Sequence, residues 1–140
     1  FPGGPQAGRI AEGGIAGGGI AGSGANGAGR IGGVHTMEIT VQETAARLRS
    51  DPPPKLLDVR EESEWKIVHL PGAVLATQEA IDDVLANWDR DEEIVCYCHH
   101  GIRSQQAAQF LAQQGFTNVV SMAGGIEQWA LEIDPKLPRY

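Results

Sequence analysis

The sequence predicts an α/β domain whose strands form a largely parallel sheet. Two observations carry that reading. From Met37 onward, short apolar runs alternate with amphipathic segments at close spacing, the pattern of repeated βα units. One run, Ile94-Val95-Cys96-Tyr97-Cys98, passes through His99-His100-Gly101-Ile102-Arg103 directly into an amphipathic stretch. Strand, tight loop and helix in that order put the Cys98 thiol at a strand's carboxyl end, the edge of an open α/β sheet where ligands bind.

Composition divides the chain before any element is assigned. Fourteen of the 19 glycines lie in the first 33 residues, where Arg9, Glu12 and Arg30 are the only charges. Residues 1–36 read as a flexible leader, because Gly/Ala-rich chain cannot bury enough apolar surface to offset an ordering entropy of about 1–2 kcal/mol per residue. It lacks the basic start and continuous apolar core of a secretory signal. Residues 37–140 have the size and composition of one globular domain. They carry nine Lys/Arg against seventeen Asp/Glu, a net charge of −8. An acidic surface argues against nucleic-acid or membrane partners, and no apolar run approaches a membrane span. Two cysteines separated by one residue make no disulfide framework, and free thiols point to a reducing, cytoplasmic setting.

The elements follow in order. Glu38-Ile39-Thr40 reads as a short strand. Thr40-Val41-Gln42-Glu43 then matches a capping box, with Val41, Ala45 and Leu48 on one helix face. Asp51-Pro52-Pro53-Pro54 ends that helix. Lys55 to Val59 is a short strand of buried type containing the polar Asp58. Arg60 to Lys66 suits one or two helical turns, and Val68 to Val74 a turn leading into a short strand. A helix starts at Thr77, with Ile81, Val84, Leu85 and Trp88 as its stripe. After the Cys98 strand and loop, Ser104 to Gln114 is a helix stopped by Gly115. Val119-Val120-Ser121 is a strand, Gly124-Gly125 opens a last helix from Ile126 to Leu131, and Asp134 to Tyr140 is a surface tail.

The chemistry centres on Cys98. A thiol is a nucleophile only as thiolate. Gly101 lets the backbone turn sharply, so that successive N–H groups form an anion-binding nest, and the following helix aims its positive end at the same place. Arg103, His99 and His100 add donors or charge. The loop between Cys98 and Arg103 holds four residues. Cysteine-dependent phosphatases place five there, so the smaller cradle suits a sulfur atom held on the cysteine better than a phosphoryl group.

The chain resembles single-domain rhodaneses, a sulfurtransferase family, in three segments. Leu56-Leu57-Asp58-Val59-Arg60-Glu61, with Glu64 and His69-Leu70-Pro71-Gly72-Ala73, is similar to the family's amino-terminal signature. Tyr97 to Ser104 resembles its active-site loop, and Gly124-Gly125-Ile126-Glu127-Gln128-Trp129 its carboxy-terminal signature. Val68 departs from the family's usual Gly before the His, in a turn that tolerates it. The resemblance implies a rhodanese-type open parallel sheet of about five strands with helices on both faces. It implies thiosulfate sulfurtransferase activity: Cys98 takes sulfur from a small anionic donor such as thiosulfate or a persulfide. The sulfur is held as a persulfide among the amides of His99, His100, Gly101, Ile102 and Arg103, and passes to cyanide, a thiol or a protein thiol. A protein-interaction or persulfide-carrier module with little turnover is the alternative. No cofactor is expected.

The remaining candidates have smaller roles. Cys96 reads as a strand residue rather than a disulfide partner of Cys98, since two extended residues separate Cα atoms by about 6.6 Å. Cys96, Cys98, His99 and His100 are too close in sequence to converge on one metal, so no metal is expected. Asp58 is expected to brace the loop or a neighbouring turn, and Arg60 and Glu64 to form a structural ion pair. Arg103 has two readings: it binds the donor's anionic end, or it pairs with a carboxylate to shape the loop. His99 and His100 act through their side chains or only through their amides. His69 reads as a structural hydrogen-bonding residue, and Trp65, Trp88 and Trp129 as packing anchors.

Overall fold

The computed structural model describes residues 37–140. The leader 1–36 lies outside the described residues. In chain order the elements are β1 (Glu38–Ile39), α1 (Val41–Leu48), β2 (Lys55–Asp58), α2 (Glu62–Ile67), β3 (Val74–Leu75), α3 (Gln78–Asn87), β4 (Ile94–Tyr97), α4 (Ile102–Gln113), β5 (Val119–Met122) and α5 (Gly125–Glu132).

The five strands form one parallel sheet in the order β1-β5-β4-β2-β3. β4 lies in the middle and every residue of it is buried, which explains its unbroken apolar run: a strand covered on both faces has no polar alternation. Its register with β2 pairs Leu57 with Cys96 and Asp58 with Tyr97, and its register with β5 pairs Cys96 with Ser121.

Helices cover both faces, as the resemblance implied. Leu57, Ile94, Cys96 and Val119 pack with Ile81 and Val84 of α3 and with Ala107, Ala108 and Leu111 of α4. Leu56, Val95, Tyr97, Val120 and Met122 pack on the opposite face with Val41 of α1 and with Ile126 and Trp129 of α5. The anticipated capping box closes α1: Thr40 Oγ1 accepts from Glu43 N at 3.0 Å, and Glu43 Oε1 accepts from Thr40 N at 2.8 Å. Thr77 Oγ1 caps α3 through Ala80 N at 3.1 Å.

One boundary bears on the site. α4 begins at Ile102, two residues before the expected start at Ser104. Gly101 adopts φ +112° and turns the chain at once, so Ile102 and Arg103 already belong to the first turn. Val68, where the family more often has Gly, has φ −166°, extended backbone that any residue adopts.

Candidate active site

Cys98 follows the last residue of β4 and is 1% exposed. Two backbone donors reach its sulfur: Gly101 N at 3.0 Å and Ser104 N at 3.4 Å. The Ser104 hydroxyl lies 3.6 Å from the same sulfur. The cradle is therefore narrower and set further along the chain than the anticipated ring of amides from His99 to Arg103. Of those residues Gly101 donates, and the second amide comes from Ser104, beyond the predicted stretch. The cause is the early helix start, which places the Ser104 N–H in the first turn of α4, where helix amides lack intrahelical partners.

The loop is held from outside by α5. Ile126 N donates to Cys98 O at 2.9 Å and Glu127 N to His99 O at 3.1 Å. Those carbonyls face α5, leaving donors to face the thiol. The close approach requires Gly125, with φ +64°: a Cβ there would collide with the carbonyls of Cys98 and His99.

The structure overturns the expected Arg60–Glu64 ion pair. The Arg60 guanidinium, fully buried, bonds Asp58 through Nε at 2.9 Å and Nη2 at 2.6 Å, and Nη2 also donates to Val68 O at 2.6 Å. Arg60 folds back on its own strand and is linked to Glu64 through the Tyr140 hydroxyl, which accepts from Arg60 Nη1 at 2.8 Å and donates to Glu64 at 2.9 Å. Burial is the largest single influence and opposes the Arg60 charge, but the bonds and charges of Asp58 and Tyr140 together outweigh it and hold its pKa above the ordinary arginine value.

Glu64 pairs instead with Arg103. Nη1 and Nη2 donate to its two carboxylate oxygens at 2.8 and 3.0 Å. Glu64 also accepts from its own helix start at Glu61 N, 2.9 Å, and from the Tyr140 hydroxyl, 2.9 Å. The Arg103 bonds, chiefly, lower its pKa to about 2, against the opposing effect of burial. Of the two readings for Arg103, the structure has the carboxylate pair.

Tyr140 ties the tail to the site. Its hydroxyl accepts from Arg60 Nη1 at 2.8 Å, and its ring stacks on His99 at 4.0 Å. His99 also stacks on His100 at 4.1 Å. Burial, and after it the neighbouring His100, push the His99 pKa down. Its Nε2 is 3.6 Å from Glu127 Oε1, longer than a hydrogen bond.

Cys96 is free and fully buried, and burial pushes its pKa up to about 12, the Cys98 charge adding to the effect. His69 Nδ1 lies 2.9 Å from Trp65 O, and its ring stacks on Trp65 at 3.6 Å. Trp88 and Trp129 pack on opposite core clusters. Among the described residues no cluster of three or more His, Cys, Asp or Glu side chains is placed to hold a metal ion, and no helix is long and apolar enough to cross a membrane.

Two participants escaped the sequence reading: Ser104 as a donor, and Tyr140. Ser104 had a signal, a hydroxyl residue directly after the loop arginine. Tyr140 had none, since its partners lie on distant elements.

The chain is similar to several known proteins. The probable adenylyltransferase/sulfurtransferase MoeZ of Mycobacterium tuberculosis is 36% identical over 104 residues, covering 73% of this chain and 26% of the relative. The chain thus spans about a quarter of that protein's length. The thiosulfate sulfurtransferase GlpE of Pseudomonas savastanoi is 40% identical over 74 residues, covering 53% of this chain and 70% of the relative. The crystal structure of a rhodanese-like domain protein from Staphylococcus aureus superimposes with a TM-score of 0.59 at 28% identity, covering 66% of this chain and 90% of that one. The family model of the rhodanese-like domain matches residues 40–132, from the cap of α1 to the end of α5, and the chain belongs to that family.

Proposed function

We propose that the domain is a sulfurtransferase that carries sulfane sulfur on Cys98 as a persulfide, with thiosulfate as a competent donor. The observation that carries this reading is the pair of amides, Gly101 N and Ser104 N, aimed at a sulfur at the end of the central strand. The names of its MoeZ and GlpE relatives support the same class.

The reaction is covalent and ping-pong in form. Cys98 thiolate attacks the outer sulfur of thiosulfate. The donor's S–S bond breaks and its electron pair leaves on sulfite. The new Cys98–S–S⁻ carries its charge on the outer atom. An acceptor nucleophile, whether cyanide, a thiol or a protein thiol, attacks that atom, and the pair from the cleaved bond returns to Cys98 Sγ. No metal or cofactor takes part. Gly101, Ser104 and the positive end of α4 steady the anionic sulfur. His99, His100 and Ile102 shape the loop around it. Arg103 holds the loop through Glu64 and sets a positive charge near Cys98. Asp58 and Arg60 brace the β2 exit beneath them. Free thiols suit a reducing, cytoplasmic setting.

The second reading, a persulfide carrier for a protein acceptor with little turnover on small molecules, has one feature in its favour. Ile102, at the mouth of the loop, is 70% exposed.

Mass spectrometry after incubation with thiosulfate tests the proposal. The wild-type chain gains the mass of one sulfur atom and Cys98→Ser gains none. Absence of the gain on the wild type rejects thiosulfate transfer. A gain with negligible cyanide turnover selects the carrier reading.

A further inference from the structure

The reaction asks Cys98 Sγ to hold negative charge twice, as attacking thiolate and as the thiolate released when the persulfide is cleaved. The backbone amides account for part of that task and leave Ser121 unassigned. Ser121 lies on β5, is 0% exposed, and sits opposite Cys96 in the register. Its Oγ is 2.7 Å from Ser104 Oγ.

Ser104 is also 0% exposed and has three polar neighbours for one hydroxyl: Cys98 Sγ at 3.6 Å, Gly101 O at 3.1 Å and Ser121 Oγ at 2.7 Å. A hydroxyl has one hydrogen and two lone pairs, so Ser104 donates to one neighbour at a time. With Cys98 as a thiol, the S–H donates to Ser104 Oγ and the Ser104 hydrogen points to Gly101 O. Once the thiol proton has left, Sγ becomes an acceptor and the arrangement must reverse. Gly101 O can release the Ser104 hydrogen, because Gln105 N also donates to it, at 3.3 Å. Ser104 Oγ then loses the donor that the S–H supplied and keeps the Ser121 hydroxyl, which donates to it at 2.7 Å in both states because the one Ser104 hydrogen is directed elsewhere.

We infer that Ser121 is a positioning residue: by donating to Ser104 Oγ it keeps the Ser104 hydrogen from pointing at Ser121 and supplies the one donor Ser104 Oγ retains when its hydrogen turns onto the Cys98 thiolate. The relay moves no proton between residues; the Ser104 hydroxyl rotates from Gly101 O to Sγ while Ser121 goes on donating to its oxygen. It serves the forward attack and the release step alike, since in both the electron pair in question rests on Sγ. Its bearing on turnover rests on the sulfurtransferase reading, whereas the relay itself belongs to the thiolate and is measured without any sulfur donor.

The test is the rate of Cys98 alkylation by iodoacetamide at one neutral pH, read beside the ultraviolet thiolate band, with Cys98→Ser as the blank. Ser121→Ala is expected to slow alkylation about three- to tenfold and Ser104→Ala about tenfold, sizes suited to weakened hydrogen bonds to a charged group. Because Ser121 acts through Ser104, the double variant should match Ser104→Ala alone. Ser121→Thr and Ser121→Val, nearly equal in shape, separate the hydroxyl from packing: Thr should react faster than Val, with a stronger thiolate band. Circular dichroism establishes that each variant is folded, and the Thr/Val comparison decides the matter if Ser121→Ala is not. Equal rates for Thr and Val, a wild-type rate for folded Ser121→Ala, or a double variant slowed by the product of the single effects would each overturn the relay. A wild-type chain that takes no sulfur from thiosulfate yet shows the expected alkylation series would reject the thiosulfate reaction and leave the relay standing.

Discussion

Arg103 and Glu64 meet in a two-pronged ion pair, 2.8 and 3.0 Å, that ties the first turn of α4 to α2. The two residues are 39 positions apart in the chain. The pair fixes the guanidinium beside the loop, within electrostatic reach of Cys98.

Releasing Arg103 should loosen that arrangement. Glu64→Gln is expected to lower kcat/KM for thiosulfate about three- to tenfold while leaving the chain folded, because a partly exposed ion pair contributes only about 0.2–1 kcal/mol to stability. Steady-state kinetics with cyanide as acceptor, beside thermal unfolding, make the comparison. Kinetics identical to wild type would mean that the pair has no part in shaping the loop.

The same pair has a defined acid limit. Folding lowers the Glu64 pKa from 4.5 to about 2, so its stabilisation is complete above the ordinary glutamate value and is lost as pH falls toward about 2. The difference in denaturation midpoint between wild type and Glu64→Gln should stay constant from neutral pH down to the ordinary carboxylate range and shrink below it. A difference that already fades near neutrality would contradict the assignment.

Arg60 makes a harsher prediction. Its removal leaves the Asp58 carboxylate buried without its partner, a loss of about 3–5 kcal/mol. Arg60→Met should therefore unfold at markedly lower denaturant, and Arg60→Met with Asp58→Asn should recover part of the deficit. Chemical denaturation of the two variants decides it.

Gly125→Ala sets a methyl against the carbonyls of Cys98 and His99 at a positive φ. The expected cost is about 1–3 kcal/mol or more, with loss of persulfide formation, since the loop must shift to admit the new atom. Thermal unfolding and the sulfur mass gain read the two effects separately.

Cys96 should stay unmodified while Cys98 reacts. It is fully buried, and its thiol is held protonated by a pKa pushed up to about 12. Peptide mapping after brief iodoacetamide treatment of the folded chain should find the label on Cys98 alone, with both cysteines labelled after denaturation. Early label on Cys96 would contradict the buried assignment.

The sheet was legible because each strand is short, apolar and separated from the next by a helical pattern, and because Thr40 and Thr77 mark helix starts by local chemistry alone. The centre of the site was legible for a related reason: strand, cysteine, glycine and helix follow one another within a dozen residues. The ion pairs were not. Arg60 and Glu64 share the spacing of helical neighbours, but Arg60 precedes α2 and turns back to Asp58, while Glu64 finds its cation on α4. Ser121 was equally hidden, as an inward strand serine gives no sign of which hydroxyl it will meet. Such pairings arise from strand order, which local spacing does not encode.

The grip of α5 on the loop has a practical consequence. Cys98 O and His99 O are bound by Ile126 N and Glu127 N, which reach them because β5 lies next to β4. Cys98 to Ser104 is therefore not a portable motif. Transplanted as a peptide or grafted onto another scaffold, it would keep its thiol and its glycine, but its carbonyls would be free to swing inward and repel the anion that the native loop receives.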